Sequence, residues 1–210
     1  MGNVVDLTMA FQNGMSGFSK NIAKTMSEHG WNASTLTLYS HAGTHMDAPI
    51  HFNVTKQTID HIPVSNFIGP AWVVDARLVG PKGLITVDHI PNNIQNDFKP
   101  GDSLIIWTGW SQYAGTTMYR SALPRISEAL ALWCVAQQVK MIAVEPPSVA
   151  DVNNIDEVTK IHQILLKAVI IIEGLCNIEA LGSNRVELIA LPLKIEAGDG
   201  APARVIAIEH

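Results

Sequence analysis

Short apolar runs bounded by glycine and proline recur along this chain of 210 residues, and they predict β-strands. Residues 71–75 and 103–108 are two such runs, and a Pro-Gly-Asp turn stands directly before the second. Residues 34–40 alternate polar and apolar side chains, which predicts a strand that leads into a histidine-rich segment. Further strands are predicted at residues 4–8, 140–144, 169–172, 186–193 and 204–208.

Helical periodicity is confined to two segments of the second half. Between residues 124 and 140, apolar side chains recur at helical spacing, and residues 156–167 predict a second helix. No internal repeat and no long linker divides the sequence. The pattern therefore predicts one mixed α/β domain over residues 1–210, in which strands outnumber helices.

Composition narrows the classes of partner and location. The net charge is -5 and Lys and Arg are scattered singly, so we expect no nucleic-acid partner. Apolar runs such as residues 168–172 are far shorter than the ~20 residues of a membrane-spanning helix, so we expect no membrane partner. With no signal-peptide pattern and only two cysteines, we expect a cytoplasmic protein. A hydrophobic fraction of 47% favours a homo-oligomer.

The segment from His41 to His51 concentrates the groups that can carry chemistry. It holds three of the eight histidines and Asp47 within eleven residues. Gly43 and Pro49 argue against a continuous helix, so we expect an irregular loop at a strand end that brings these side chains together. Imidazole with carboxylate suits zinc, manganese or iron, and the two oxygens of Asp47 could bridge two ions. The spacing therefore predicts a metal site.

The same segment carries a resemblance to a known family. HAGTHMDAPIHF, residues 41–52, resembles the signature of the cyclase family, which includes the bacterial kynurenine formamidases and the isatin hydrolases. The resemblance continues along nearly the whole chain, in residues 5–8, 99–110, 161–162, 172–175, 187–194 and 198–204. It implies a barrel-like, mostly antiparallel β-sheet with flanking helices, and a homodimer or homotetramer.

The resemblance also implies roles for individual residues. His41, His45 and Asp47 fall on metal-ligand positions, and His162 and Glu173 fall on ligand positions for a second ion. The implied cofactor is a divalent metal, zinc or manganese, with two ions per subunit. His51 falls on the position of a general acid/base, and the residues alone leave open that it is a third ligand of a single-metal site. We also expect Gly43 and Thr44 to shape the loop, and Asp199 and Gly200 to line the site.

Three departures from the family pattern concern the second site and the substrate pocket. His162 and Glu173 are eleven residues apart, where relatives are expected to have twelve. Glu145 stands where relatives tend to carry Asp. Residues 11–18 lack the Trp-Pro-Gly-Asp-like segment that shapes the aromatic pocket of the formamidases.

The predicted function is a metal-dependent hydrolase that acts on a small molecule. We expect cleavage of a non-peptide C–N bond of the arylformamidase type, converting N-formylkynurenine to kynurenine and formate. A bound ion would lower the pKa of water and polarise the carbonyl, and His51 would transfer the proton. One alternative is a ring-opening hydrolase of a cyclic amide or lactone, of the isatin type. Another is a metal-dependent binding protein without catalysis.

Overall fold

The computed structural model describes residues 2–210. Over that range the chain forms twelve β-strands and five α-helices. The strands are β1 (Val4–Asp6), β2 (Phe18–Lys24), β3 (Ala33–Leu38), β4 (His45–Asp47), β5 (Ile68–Asp75), β6 (Leu84–Ile85), β7 (Ser103–Trp107), β8 (Arg125–Ile126), β9 (Met141–Val144), β10 (Ile170–Glu173), β11 (Arg185–Pro192) and β12 (Gly200–Ile208). The α-helices are α1 (Met26–His29), α2 (Asn92–Asp97), α3 (Thr117–Ser121), α4 (Glu128–Ala136) and α5 (Ile155–Leu165).

Seven of these strands close into a ring. Their order is β12-β11-β5-β7-β9-β10-β4, and β4 pairs back onto β12. One edge of β12 pairs with two different strands: its first residues pair with β4, and its last residues pair with β1. Across the described sheet, five strand pairings are antiparallel and three, which join β5, β7, β9 and β10, are parallel. The predicted α/β class with a barrel-like, mostly antiparallel core is therefore confirmed.

Alternation along the strands sorts the apolar side chains into two cores. On β7, Ile105 belongs to a cluster shared by strands all round the ring, which is the barrel interior. Leu104 and Ile106 belong instead to a cluster that includes residues of α4 and α5. Burying each such side chain contributes about 1.5–3 kcal/mol. The two helices therefore cover the outer face of the parallel strands, and that outer face is where the polar side chains described below lie.

The predicted helix over residues 124–140 is shorter than expected. Arg125 and Ile126 form β8 and pair with β6, so the helix begins only at Glu128. Ser127 caps it, since its hydroxyl accepts a hydrogen bond from the Leu130 N–H at 3.1 Å. Gln138 has a φ of 56°, which lies outside helical backbone space. Strand pairing at Arg125 and Ile126 therefore delays the start of the helix, and the turn at Gln138 ends it, although apolar side chains recur at helical spacing beyond both points. The helix predicted at residues 156–167 agrees with α5 within two residues.

A two-stranded hairpin lies outside the ring. The predicted strand at residues 34–40 corresponds to β3, but it pairs with β2, which the sequence did not predict. β2 contains one large aliphatic side chain, Ile22, so it lacks a clear apolar alternation. Among residues 2–210, no helix combines the length and apolar character that crossing a bilayer requires.

Candidate metal centre

The centre of the histidine-rich segment is a strand, where the sequence predicted an irregular loop. β4 lies between β10 and β12 and closes the ring. Side chains two apart on a strand point the same way, so His45 and Asp47 share one face while Met46 points into the barrel core. The strand has only three residues and lies between Gly43 and Pro49, so it is too short to give a recognisable alternation in the sequence. The prediction of a loop was wrong for His45–Asp47 because ring closure supplies the hydrogen bonds that a short strand needs.

β10 and α5 bring the two distant ligand candidates to this face. Glu173 pairs directly with His45 across the antiparallel strands, and its Oε2 lies 3.2 Å from His45 Nε2. His162, on α5, places its Nε2 3.3 Å from Glu173 Oε1 and 3.6 Å from Asp47 Oδ2. The eleven-residue spacing therefore does not separate His162 from Glu173.

His41 reaches the same cluster from the turn before β4. Its Nδ1 lies 2.8 Å from Asp47 Oδ1. Two groups of possible ligand atoms result, each within 4.8 Å: His41 with His45 and Asp47, and Asp47 with His162 and Glu173. Asp47 belongs to both groups. All five sequence-predicted ligand candidates are thus brought together.

Backbone carbonyls orient two of the imidazoles. His45 Nδ1 lies 2.9 Å from the Gly43 carbonyl oxygen, and His162 Nδ1 lies 2.7 Å from that of Val158. A carbonyl only accepts, so each Nδ1 carries the proton and donates it. In the neutral form of each imidazole the lone pair is then on Nε2, which faces the carboxylates, and histidine ligands of metals are commonly held in this way.

The donor set fits a metal ion. The side chains of Asp47 and Glu173 are almost fully buried, and within residues 2–210 no Lys or Arg forms an ion pair with either carboxylate. Asp47 Oδ2 and His41 Nε2 are buried without a hydrogen-bond partner. Buried charge and unsatisfied polar atoms are costly unless something compensates them. A divalent cation among these nitrogens and oxygens would do so.

Contacts between the histidines and the carboxylates of the cluster shift the pKa values of both. Burial alone would raise the pKa of Glu173, but hydrogen bonds and charge from His162 and His45 hold it far below its usual value. Burial alone would lower the pKa of each of these histidines, yet Glu173 and then Asp47 raise both. The group is therefore built around an ionised Glu173.

Close backbone packing supports the ligand candidates. The Thr44 hydroxyl donates to the Gly174 carbonyl oxygen and accepts from the Met9 N–H at 2.8 Å, as expected for a residue that shapes the loop. A Cβ at Gly200 would lie 2.6 Å from His41 Cε1, so only glycine leaves room for that ring. The Val149 N–H donates to Glu173 Oε1 at 2.8 Å and fixes the carboxylate. Sequence reasoning missed Val149 and Gly174. Both act through the backbone, Val149 through its N–H and Gly174 through its carbonyl oxygen, and every residue except proline has both groups.

His51 lies beside the buried group. Its ring stacks on His41 with centroids 3.8 Å apart, and its Nδ1 is 3.8 Å from Asp199 Oδ2. Burial lowers the pKa of His51; Asp47 opposes this effect, and His41 and His162 reinforce it. His41, His51 and Asp199 form a third, more exposed group of possible ligand atoms. Asp199 and Gly200 therefore border the site as expected.

A cavity of about 720 Å³ opens onto the cluster. His41 and His45 line it, together with residues 12–16, residues 114–116 and the adjoining Tyr119 and Arg120. Its size suits a small organic molecule. Tyr119 and Arg120 were not predicted, since neither belongs to a motif.

Comparison with known proteins places this arrangement in a family. The sequence model of the family described as Putative cyclase matches residues 5–151. The kynurenine formamidase of Salinibacter ruber is 31% identical over 179 residues, which are 85% of this chain and 81% of that protein. The kynurenine formamidase of Geobacillus thermodenitrificans is 32% identical over 174 residues, covering 82% and 78% of the two chains.

Solved structures share the fold over the full length. Isatin hydrolase A from Ralstonia solanacearum has a TM-score of 0.89 at 23% identity, covering 99% of this chain and 92% of that one. A predicted metal-dependent hydrolase from Bacillus stearothermophilus has a TM-score of 0.80 at 25% identity and covers all of both chains. The predicted hydrolase class is thereby confirmed, which removes the alternative of a binding protein without catalysis. The chain belongs to the Putative cyclase family.

Proposed function

We propose that this hydrolase cleaves the C–N bond of an aryl formamide, with N-formylkynurenine as the first substrate to test. The carrying observation is the buried group of three imidazoles and two carboxylates at the base of a cavity of about 720 Å³. The kynurenine formamidases, at 31–32% identity, support the choice of an aryl formamide.

We propose two divalent ions per subunit, zinc or manganese. His41, His45 and Asp47 would hold one, and Asp47, His162 and Glu173 the other. Nitrogen and carboxylate ligands without thiolate suit both metals. Such an ion supplies Lewis-acid polarisation of a carbonyl and lowers the pKa of water.

His51 is proposed to move the proton. Hydrolysis adds water across the formyl C–N bond: the C–N bond breaks, a new C–O bond forms, and the departing nitrogen takes up a proton. The His51 side chain is more exposed than those of the five ligand candidates. Its ring stacks on His41 and lies near Asp199, whose carboxylate can orient it. Proton transfer of this kind contributes about 10²–10⁴-fold to a rate. The group of His41, His51 and Asp199 keeps one alternative role open, in which His51 is itself a ligand.

The decisive experiment measures formate release from N-formylkynurenine. The purified protein is stripped with a chelator, assayed, and assayed again after zinc or manganese is restored. Turnover that disappears on stripping and returns with metal is the expected result. A fully metal-loaded protein that releases no formate would contradict the proposal.

Ring opening is the second candidate function. Residues 12–16, which line the cavity, include no Trp-Pro-Gly-Asp-like segment. The same water chemistry would open a cyclic amide, so isatin is the substrate to assay next. Isatin opening without formamide cleavage would favour this candidate.

We also propose a homodimer or homotetramer, supported by the apolar face of the β2–β3 hairpin. Phe18 pairs with Leu38, and Lys20 pairs with Leu36, so these side chains share a face with Ile22. Ile22 and Leu36 are more than half exposed. A second copy of the chain is the proposed cover. The cytoplasmic location stays a prediction.

A further inference from the structure

The cavity beside the cluster has an uneven distribution of charge. Its lining, taken from residues 2–210, includes Arg120 but neither Asp nor Glu. Arg120 is exposed, and the ion pairs and hydrogen bonds found within the described chain include none from its guanidinium. The four other arginines are all paired: Arg77 with Asp75, Arg125 with Glu157, Arg185 with Asp102, and Arg204 with Asp6. An unpaired guanidinium in a cavity wall is therefore available to a ligand.

The backbone that carries Arg120 is held firmly. The Tyr119 hydroxyl donates to the Glu145 carbonyl oxygen at 2.7 Å. The Trp110 indole N–H donates to the Tyr119 carbonyl oxygen at 3.0 Å. These two hydrogen bonds hold the residue directly before Arg120. The segment is therefore already ordered, and ligand binding does not lose free energy by ordering it.

Glu145 extends this support. Its buried carboxylate accepts hydrogen bonds from the Thr108 N–H at 2.7 Å and from the Ser111 hydroxyl at 2.8 Å, and a further one from the Trp110 N–H. One carboxylate thus joins the end of β9 to the loop after β7, and that loop supplies the indole that holds Tyr119. The same Glu145 replaces the aspartate expected in relatives.

We infer that Arg120 binds the carboxylate of the substrate and thereby positions its formamide, so that this one residue makes the enzyme favour the acid over an uncharged ester. A guanidinium presents paired N–H donors that match a carboxylate, and such charge-assisted bonds are strong and directional. The acid would bind at the wall formed by Arg120 while the formamide faces His41 and His45. Met9, Met15 and Tyr39 offer apolar contact to the aromatic ring. This inference rests on the proposed function.

The test compares N-formylkynurenine with its methyl ester, which lacks the negative charge. For metal-loaded wild-type protein, kcat/KM should favour the acid. In Arg120→Gln, the ratio of acid to ester should fall by about 10- to 100-fold, the usual contribution of hydrogen bonds to charged groups. The loss should lie mainly in KM, and Arg120→Lys should restore part of the ratio. Arg204→Gln is the matched control, because Arg204 is exposed, paired with Asp6 and outside the cavity.

Two outcomes overturn the inference while leaving the formamidase function intact: a wild-type ratio near one, or an Arg120→Gln ratio equal to that of Arg204→Gln. If wild-type protein cleaves neither compound, the proposed function fails, and calorimetric binding of kynurenine and its methyl ester then decides the role of Arg120. Preference for the acid that disappears in Arg120→Gln supports the inference. Equal binding of acid and ester by the wild type overturns it.

Discussion

Asp47 is the residue on which the proposed site depends most, because its two oxygens face different partners. Oδ1 lies 2.8 Å from His41 Nδ1, and Oδ2 lies 3.6 Å from His162 Nε2. Removing this side chain would take one ligand from each proposed ion. His51, in contrast, meets the cluster by stacking on His41 and by an edge contact with the His162 ring, and it lies near the more exposed Asp199.

Substitutions of Asp47 and His51 should therefore have different effects on bound metal and on turnover. Asp47→Ala is expected to lose bound metal and turnover together. His51→Ala is expected to retain metal and to lose about 10²–10⁴-fold in kcat, because proton transfer is removed while the ligands remain. Elemental analysis of the purified variants, paired with formate release, separates the two effects.

His61→Ala is the matched control, since His61 is largely exposed and bonds only locally to Thr58 and Asp60. It should resemble the wild type in both measurements. If His51→Ala is purified without metal, the ligand role in the group with His41 and Asp199 replaces the proton-transfer role.

At this scale, sequence reasoning succeeded where chemistry is concentrated in one segment. His41, His45 and Asp47 stand close together in the sequence, so their residue types alone indicated a metal site. His162 and Glu173 come far later, on a helix and a strand, and only the family resemblance pointed to them. Arg120 has no motif at all; its position became visible only when folding placed it in the wall of the cavity.

Among the secondary-structure elements, a partly buried ion pair joins three strands of the ring. Asp102 stands directly before β7, and its carboxylate accepts two hydrogen bonds from Arg185 on β11, at 2.8 and 2.9 Å. The Trp72 indole on β5 donates to the same carboxylate at 3.0 Å. Arg185 also lies over the Trp72 ring, 4.3 Å from its centroid. Parallel and antiparallel parts of the ring meet at this point.

Asp102→Asn should lower the free energy of unfolding by about 2 kcal/mol near pH 7, because charged hydrogen bonds are weakened. Burial alone would raise the pKa of Asp102, but Arg185, Lys99 and Trp72 outweigh it and hold the pKa below 3.8. The stabilisation is therefore complete above the unfolded-state pKa and is lost as pH falls through the lower, folded-state pKa. Urea unfolding near pH 7 and near pH 2.5 measures both effects.

Asp75→Asn is the control, since Asp75 pairs with Arg77 on the surface, where such pairs contribute only about 0–1 kcal/mol. A loss in Asp102→Asn no larger than in Asp75→Asn would contradict the proposed role. So would a difference from wild type that grows as the solution becomes more acidic.

Element prediction succeeded where burial imposes a pattern and failed where pairing partners decide. β7 and β9 are apolar runs between turn residues, and both were predicted within one residue of their ends. The helix at residues 124–140 was overextended because β8 pairs with a strand some forty residues earlier. β4 was missed because three residues carry no periodicity, although ring closure depends on them.

For the whole molecule, the ring explains the position of the site. The polar cluster lies on the outer face of β4 and β10, beneath α5, and not inside the barrel, which is filled by apolar side chains. The sequence indicated a barrel only through family resemblance, because the closing contact between β4 and β12 joins residues 45–47 to residues 200–202. Such distant pairing leaves no local pattern.

The β2–β3 hairpin is the part of the molecule that this ring does not explain. Its polar face carries Asn21 and Thr35, which pair with each other, whereas Ile22 and Leu36 on the opposite face are exposed. An isolated two-stranded hairpin is marginally stable in water, so this apolar face needs a covering surface. A second copy supplies one, and sedimentation equilibrium should therefore show a dimer or tetramer.

The double variant Ile22→Ser with Leu36→Ser should weaken that assembly on the order of 100-fold in Kd, because each buried aliphatic side chain contributes about 1.5–3 kcal/mol. The matched control, Asn21→Ser with Thr35→Ser, changes the polar face of the same hairpin and should leave the assembly intact. Wild-type protein that sediments as a monomer at tens of micromolar would contradict the homo-oligomer. An oligomer equally stable in both double variants would place its interface elsewhere, and the exposure of Ile22 and Leu36 would then need another explanation.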